Sequence, residues 1–233
     1  MRVAIMQPYF LPYIGYWQLI AAADVFVIYD NIQYTKKGWI NRNRMLVNGS
    51  PALFTLPLQD GHAEALVDQR LIAPFDHRKL LRRFEGAYRR APHYEETLPL
   101  LTKIIYQDED NLFQFLLRSV MRICIHLGIS TWIRQSSGIT IDHSLKAQDK
   151  VIAICKALKA DEYLNASGGV ELYDTKAFRR DALRLRFIRA LPLEYPQLGH
   201  PFVPWLSIID VLMFNPLEKV QHLVHNHYEV FTK

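Results

Sequence analysis

The sequence predicts an α/β protein built on a mainly parallel, Rossmann-like sheet with a helical insertion. Two short apolar runs, Val3–Met6 and Val25–Tyr29, flank a helix-like segment, Tyr13–Ala22. Strands that are apolar throughout belong to parallel sheets covered on both faces. The helix–strand alternation resumes after residue 128, with Thr131–Gln135 as a strand, Gln148–Lys159 as a helix and Leu183–Ile188 as a strand. Between these halves the chain reads as helical, over 76–128. The 233 residues suffice for one α/β domain, 1–233, with 76–128 as a helical insertion or lobe within it.

The first unit sets the site. Val3–Met6 is a strand, and Pro8 and Pro12 make Gln7–Pro12 a loop, because proline breaks a ladder. Val25–Tyr29 returns as a second strand ending at Asp30. A right-handed crossover then puts the Tyr9 loop and Asp30 on the same carboxyl edge, where open α/β sheets bind ligands.

Arg44–Val47 and Ala52–Leu56 read as a hairpin around Asn48-Gly49-Ser50. Residues 59–73 are weakly patterned. His77–Arg90 is a helix with a basic face, and Glu109–Leu127 is a helix closed by Gly128. Glu162–Leu164 leads into the turn 165–169. Two short helices, Ser207–Phe214 and Leu217–Val224, close the pattern, with Pro216 at the first position of the second. His222, His225 and His227 read as a solvated tail.

Composition excludes several classes. Half the residues are hydrophobic and 22% are charged, a globular balance. A net charge of +5 from scattered basic residues is no nucleic-acid signature, though it suits phosphorylated ligands. Cys124 and Cys155 sit in apolar runs and read as buried reduced thiols, which predicts a cytoplasmic protein. Val3–Ala23 is uncharged, but Gln7-Pro8, Pro12, Gly15 and Gln18 interrupt it, so neither a signal peptide nor a membrane span is expected. The nine histidines form no metal-ligand cluster, and no metal is expected.

Three segments carry the candidate chemistry. In Gln7–Tyr16, glycine at a helix start leaves N–H groups for an anion, and Gln7, Tyr9, Tyr13 and Tyr16 add hydrogen-bonding groups around Gly15. A rigid packing turn explains these residues equally well. In Trp39–Arg44, alternation puts Asn41 and Asn43 on one face and Arg42 and Arg44 on the other. Paired amides suit sugar hydroxyls, and arginines suit phosphate. Asp30 could bind a ribose hydroxyl, a metal or an amine whose proton it accepts, with Gln7, Tyr9 and Asn41 as candidate oxyanion or sugar donors, and capping of its turn is the alternative. Gln197, in a polar-aromatic loop, is a further candidate ligand-binding residue, and Ser207 and Asp210 form a helix-start pair.

The segments Met6–Tyr16, Trp39–Asn43, Tyr195–Gln197 and Leu206–Asp210 together resemble the WbqC-like family of bacterial surface-polysaccharide biosynthesis proteins. The turn 165–169 and Phe214-Asn215-Pro216 depart from the pattern of that family. The resemblance implies an N-acyl or aminoacyl transferase acting on a nucleotide-linked amino sugar in O-antigen-type assembly. It implies a carrier-protein thioester, and hence an acyl carrier protein partner, or an adenylate made from ATP as the donor. The first 30 residues are also similar to the HxGH region of nucleotidylyl-transferase folds, with Tyr13 and Tyr16 in place of its histidines. That likeness implies an ATP-using nucleotidyl or adenylyl transferase as an alternative, and a non-catalytic sugar-nucleotide-binding protein is the third reading.

Overall fold

A computed structural model describes residues 1–62 and 64–233. In chain order the elements are β1 (Arg2–Met6), α1 (Ile14–Ala21), β2 (Val25–Ile28), β3 (Arg42–Val47), β4 (Ser50–Thr55), α2 (His77–Tyr88), α3 (Tyr94–Ile105) and α4 (Leu112–His126). Then follow β5 (Trp132–Gln135), α5 (Ala147–Ala157), β6 (Glu162–Ala166), α6 (Thr175–Arg180), β7 (Arg184–Ala190), α7 (Ile208–Phe214), α8 (Leu217–Asn226) and β8 (Tyr228–Phe231).

Six strands form the central sheet in the order β5-β2-β1-β6-β7-β8. The first five are mutually parallel and β8 runs antiparallel to β7. Numbered by appearance within this sheet the order is 3-2-1-4-5-6, that of a doubly wound sheet, with its switch point between β1 and β6.

Period-two alternation assigns the faces. Val3, Ile5, Val25, Val27 and Tyr163 are buried in the core beneath α5 and α6. Ala4, Phe26, Ile28 and Leu164 are buried in a larger core on the other side. That core also takes the apolar faces of α1, α2, α3, α4, α7 and α8, so the helical middle packs on the same side as the first helix. Both thiols are buried and free, and burial pushes each up to about 12. Among the described residues no helix is long and apolar enough to cross a membrane.

The hairpin β3–β4 is longer than the sequence suggests. Val47 pairs with Ser50 across a two-residue turn in which Asn48 (φ 49°) and Gly49 (φ 72°) are both left-handed. Asn-Gly is the residue pair that this turn type favours. Pro216 caps α8 rather than opening it, since α8 starts at Leu217. The histidine segment is not a tail. His222 and His225 lie on α8, and Tyr228–Phe231 then pairs with β7. Four residues are too few for alternation to distinguish a strand from a helix end.

Candidate functional site

The loop after β1 is held from three directions. Asn43, on β3, donates through Nδ2 to the carbonyls of Phe10 at 3.1 Å and Leu11 at 3.0 Å. Ser207 donates through Oγ to the Leu11 carbonyl at 2.7 Å and caps α7 by accepting from the Ile209 N–H. The Trp17 indole N–H and the Ile208 N–H both reach the Pro12 carbonyl. Leu11 sits at φ 48°, strained for a branched side chain, and is buried. The surrounding donors hold that strain in place, as strained segments at ligand sites require.

This loop forms one wall of a cavity of about 420 Å3. Tyr9, Tyr13, Gly15 and Tyr16 line it from the loop and α1, Met6 from β1, and Ala166 and Ser167 from the end of β6. It therefore opens at the carboxyl edge, over the switch point between β1 and β6. No side chain caps α1, whose first turn faces this space. Trp39, Asn43, Arg44 and Trp205 close the opposite wall.

The lining is aromatic and holds one charge. Among the described residues Arg44 is its only cation, and no carboxylate, imidazole or thiol lines it. Arg44 lies over the Trp39 ring, 5.5 Å from its centroid, and Nη2 donates to the Trp205 carbonyl at 3.0 Å. Its Nε is buried without a partner. Burial pushes the phenols of Tyr9 and Tyr13 up and that of Tyr16 further still, so all three stay neutral donors at ordinary pH. Trp205, which sequence patterning does not single out, packs against Tyr13 with ring centroids 5.0 Å apart and tilted by 53°, and holds a left-handed φ of 63° while 59% exposed. An exposed tryptophan kept in a strained backbone is the one signal that marks it.

Of the residues predicted from sequence, Tyr9, Tyr13, Gly15, Tyr16, Trp39, Asn43 and Arg44 meet at this cavity. The others do not line it. Gln7 follows Met6 on the alternating β1 edge and contributes its carbonyl, which accepts from the Tyr16 hydroxyl at 3.0 Å. Asn41 is buried between the Tyr34 hydroxyl and the Leu56 carbonyl. Arg42 donates to the Gly38 carbonyl and opens into a separate recess. Gln197 is buried and bonds Val203 and Asp210.

The WbqC-like protein family matches this chain over residues 7–222. The chain belongs to the WbqC-like protein family. A Mycobacterium tuberculosis relative, "Uncharacterized protein Rv1507c", is 31% identical over 218 residues, which cover 92% of this chain and 93% of that one. No solved structure gives a significant match.

Asp210 is the centre of a buried hydrogen-bond network behind the cavity wall. Asp210, fully buried on α7, accepts hydrogen bonds from the Tyr88 hydroxyl at 2.8 Å, the Tyr195 hydroxyl at 2.7 Å and Gln197 Nε2 at 2.8 Å. Burial raises its pKa, and the three donors pull partly against that rise. Ser207 and Asp210 do stand at the start of α7, as its cap and its first-turn acid, and the Asp210 carboxylate also ties the 195–203 loop and α2 to that helix.

Asp30 stands at the same sheet edge beyond β2, turned into the β5 turn. Its Oδ1 accepts from Ser136 Oγ at 2.6 Å, the Ser137 N–H at 2.9 Å and the Asn31 N–H at 3.0 Å, and Oδ2 accepts from Ser137 Oγ. Burial disfavours the carboxylate, but the serine and backbone donors outweigh it and hold the pKa below the ordinary aspartate value. A depressed folded pKa contributes stability that is present above the ordinary aspartate range and lost as pH falls through the folded value. Ser136→Ala should therefore cost about 1.5–3 kcal/mol near neutral pH, as for a hydrogen bond to a charged group. The deficit should shrink as acid protonates Asp30. Denaturant titrations stepped from pH 7 downward test this, and a deficit constant into acid would rule it out.

Proposed function

We propose that the cavity holds the phosphate-bearing part of a nucleotide-linked amino sugar, and that this chain transfers an acyl or aminoacyl group to the sugar amine. The observation that carries the reading is Arg44, a guanidinium with an unpartnered Nε in an aromatic lining without a carboxylate. Arginine suits phosphate because its planar fork bonds two oxygens. The tryptophans and tyrosines offer faces for a base or sugar ring, and the phenols of Tyr9 and Tyr13 are donors for hydroxyls or for a carbonyl oxyanion. The amine must react as its free base, because among the described residues no lining group accepts its proton and Asp30 is occupied as a turn cap; the proton lost as the amide forms leaves with the expelled thiolate or nucleotide. Transfer should then rise with pH along the substrate amine's own titration, with no carboxylate limb.

Fluorescence tests the binding step directly. Trp39 and Trp205 line the cavity, whereas Trp17 is buried and Trp132 lies on β5. A sugar nucleotide should change the emission, and Trp39→Phe with Trp205→Phe should abolish that change. An unaltered response in the double variant would place the ligand elsewhere. Adding a carrier-protein thioester, or ATP with a free acid, to the bound sugar nucleotide then separates the remaining readings. Amide formation supports the transferase with either donor, and pyrophosphate release without amide marks the ATP-using alternative. The bare lining also favours a second reading, a sugar-nucleotide-binding protein without catalysis, which predicts tight binding with no turnover of either donor.

A further inference from the structure

A second recess, of about 310 Å3, opens where Arg42 leaves the hairpin. Tyr34, Lys36, Arg42, Asp60, Gly61 and Arg70 are among its lining residues. Arg70 is only 6% exposed. Its guanidinium lies 4.9 Å from the centroid of the Tyr34 ring, and Nη2 donates to the His62 carbonyl at 2.9 Å. Its Nε is buried and bonds nothing. A Cβ at Gly61 would stand 2.6 Å from Nη1, so only the lack of a side chain there lets the guanidinium take this position. Among the described residues Arg70 makes no ion pair, although other arginines do. A buried guanidinium with one carbonyl and a ring face for company is poorly compensated, since buried charges are normally paired.

The neighbouring charges deepen the deficit. Arg42 donates from Nε to the Gly38 carbonyl and also lines the recess. Lys36 is exposed, and Asp60, among the described residues the one carboxylate in the lining, is exposed as well. Three cations against one exposed carboxylate leave this small polar space net positive, which suits a phosphate-type oxyanion that two guanidinium forks can grip. We propose that this recess is a second anion site, distinct from the aromatic cavity, for a phosphate group held by Arg70, Arg42 and Lys36. Arg42 and Arg44 lie two residues apart on β3, roughly 7 Å along the strand, yet each serves a different recess.

Calorimetric titration of the full chain with inorganic phosphate, at constant ionic strength in chloride, tests this. Saturable binding is expected in the Arg44→Gln chain, whose aromatic cavity has lost its cation, and should weaken at least tenfold when Arg42→Gln or Arg70→Met is added to it. Phosphate should also raise the melting temperature of the Arg44→Gln chain but not that of the same chain carrying Arg70→Met. Arg42→Gln, at a half-buried position, keeps the test decisive should Arg70→Met not fold. A sugar 1-phosphate titrated in parallel identifies the source: tighter binding than phosphate with the same variant pattern marks a phosphoryl group on a larger ligand, and equal binding marks the free anion. Phosphate affinity indifferent to Arg42→Gln, affinity lost in Arg44→Gln alone, or no saturable binding of either probe would overturn the proposal. The Arg44→Gln arm keeps this result separate from the fate of the aromatic cavity.

Discussion

Arg44→Gln should weaken binding of a sugar nucleotide about ten- to a hundredfold while leaving the fold intact. A charge-assisted contact to phosphate contributes about 1.5–3 kcal/mol, which is that range of affinity. Among the described residues Arg44 is the one cation lining the cavity, so no described neighbour there replaces it. Its structural contribution is small. It stacks on Trp39, itself 40% exposed, and gives one hydrogen bond to the Trp205 carbonyl. Arg44→Lys tests the fork: an ammonium keeps the charge but not the bidentate geometry, so it should recover only part of the affinity. Paired ligand and denaturant titrations decide the matter. Equal affinity in Arg44→Gln and the parent chain would remove phosphate from this cavity.

The largest loss of stability is expected from Asp210→Ala. Truncation leaves the Tyr88 and Tyr195 hydroxyls and Gln197 Nε2 without their buried acceptor. Leaving three buried neutral donors without an acceptor costs about 1 kcal/mol or more each, here about 3–5 kcal/mol together. At this chain length that corresponds to a melting temperature lower by roughly 6–20 °C. The loss should also spread to the cavity. Gln197 fixes the 197–203 loop through both polar atoms of its amide, and that loop leads directly to Trp205. Asp210→Ala should therefore blunt the ligand-dependent tryptophan signal even where the variant remains folded. Tyr195→Phe, which removes one donor and no volume of consequence, should cost far less, about 1–2 kcal/mol. Comparable losses in the two variants would mean that the carboxylate is not the hub.

Much of the site was legible because its signals are local. Proline at 8 and 12 ends a strand wherever it occurs, and the apolar run after Asp24 is a strand in any parallel sheet. Those rules place Tyr9, Tyr13 and Tyr16 at a loop and helix start on the carboxyl edge. Alternation also separated the amides from the arginines at 41–44, and the amides did take the buried side. It could not show that both asparagines would be consumed by backbone carbonyls, because Leu56 and the Phe10–Leu11 pair come from other parts of the chain.

Asp30 illustrates the remaining gap. Its position at a strand end was readable, but the two serines that occupy its carboxylate are 106 and 107 residues away. The same holds for Asp210, whose donor Tyr88 is 122 residues distant, and for Trp205, which meets Arg44 across 161 residues. Arg70 lay in a stretch with no periodicity to mark it.

By itself, then, the sequence determined the parallel strand pairs, the proline-bounded loop and the aromatic and basic residue types gathered around it, since each follows from backbone rules acting within a few residues. Only the tertiary structure decided that Arg44 faces an aromatic cavity while Arg42 faces a recess floored by a buried cation, and that Asp30 and Asp210 serve as acceptors within the fold. A side chain's hydrogen-bond partners are set by which distant segments the packed core brings beside it, and no local pattern encodes that choice.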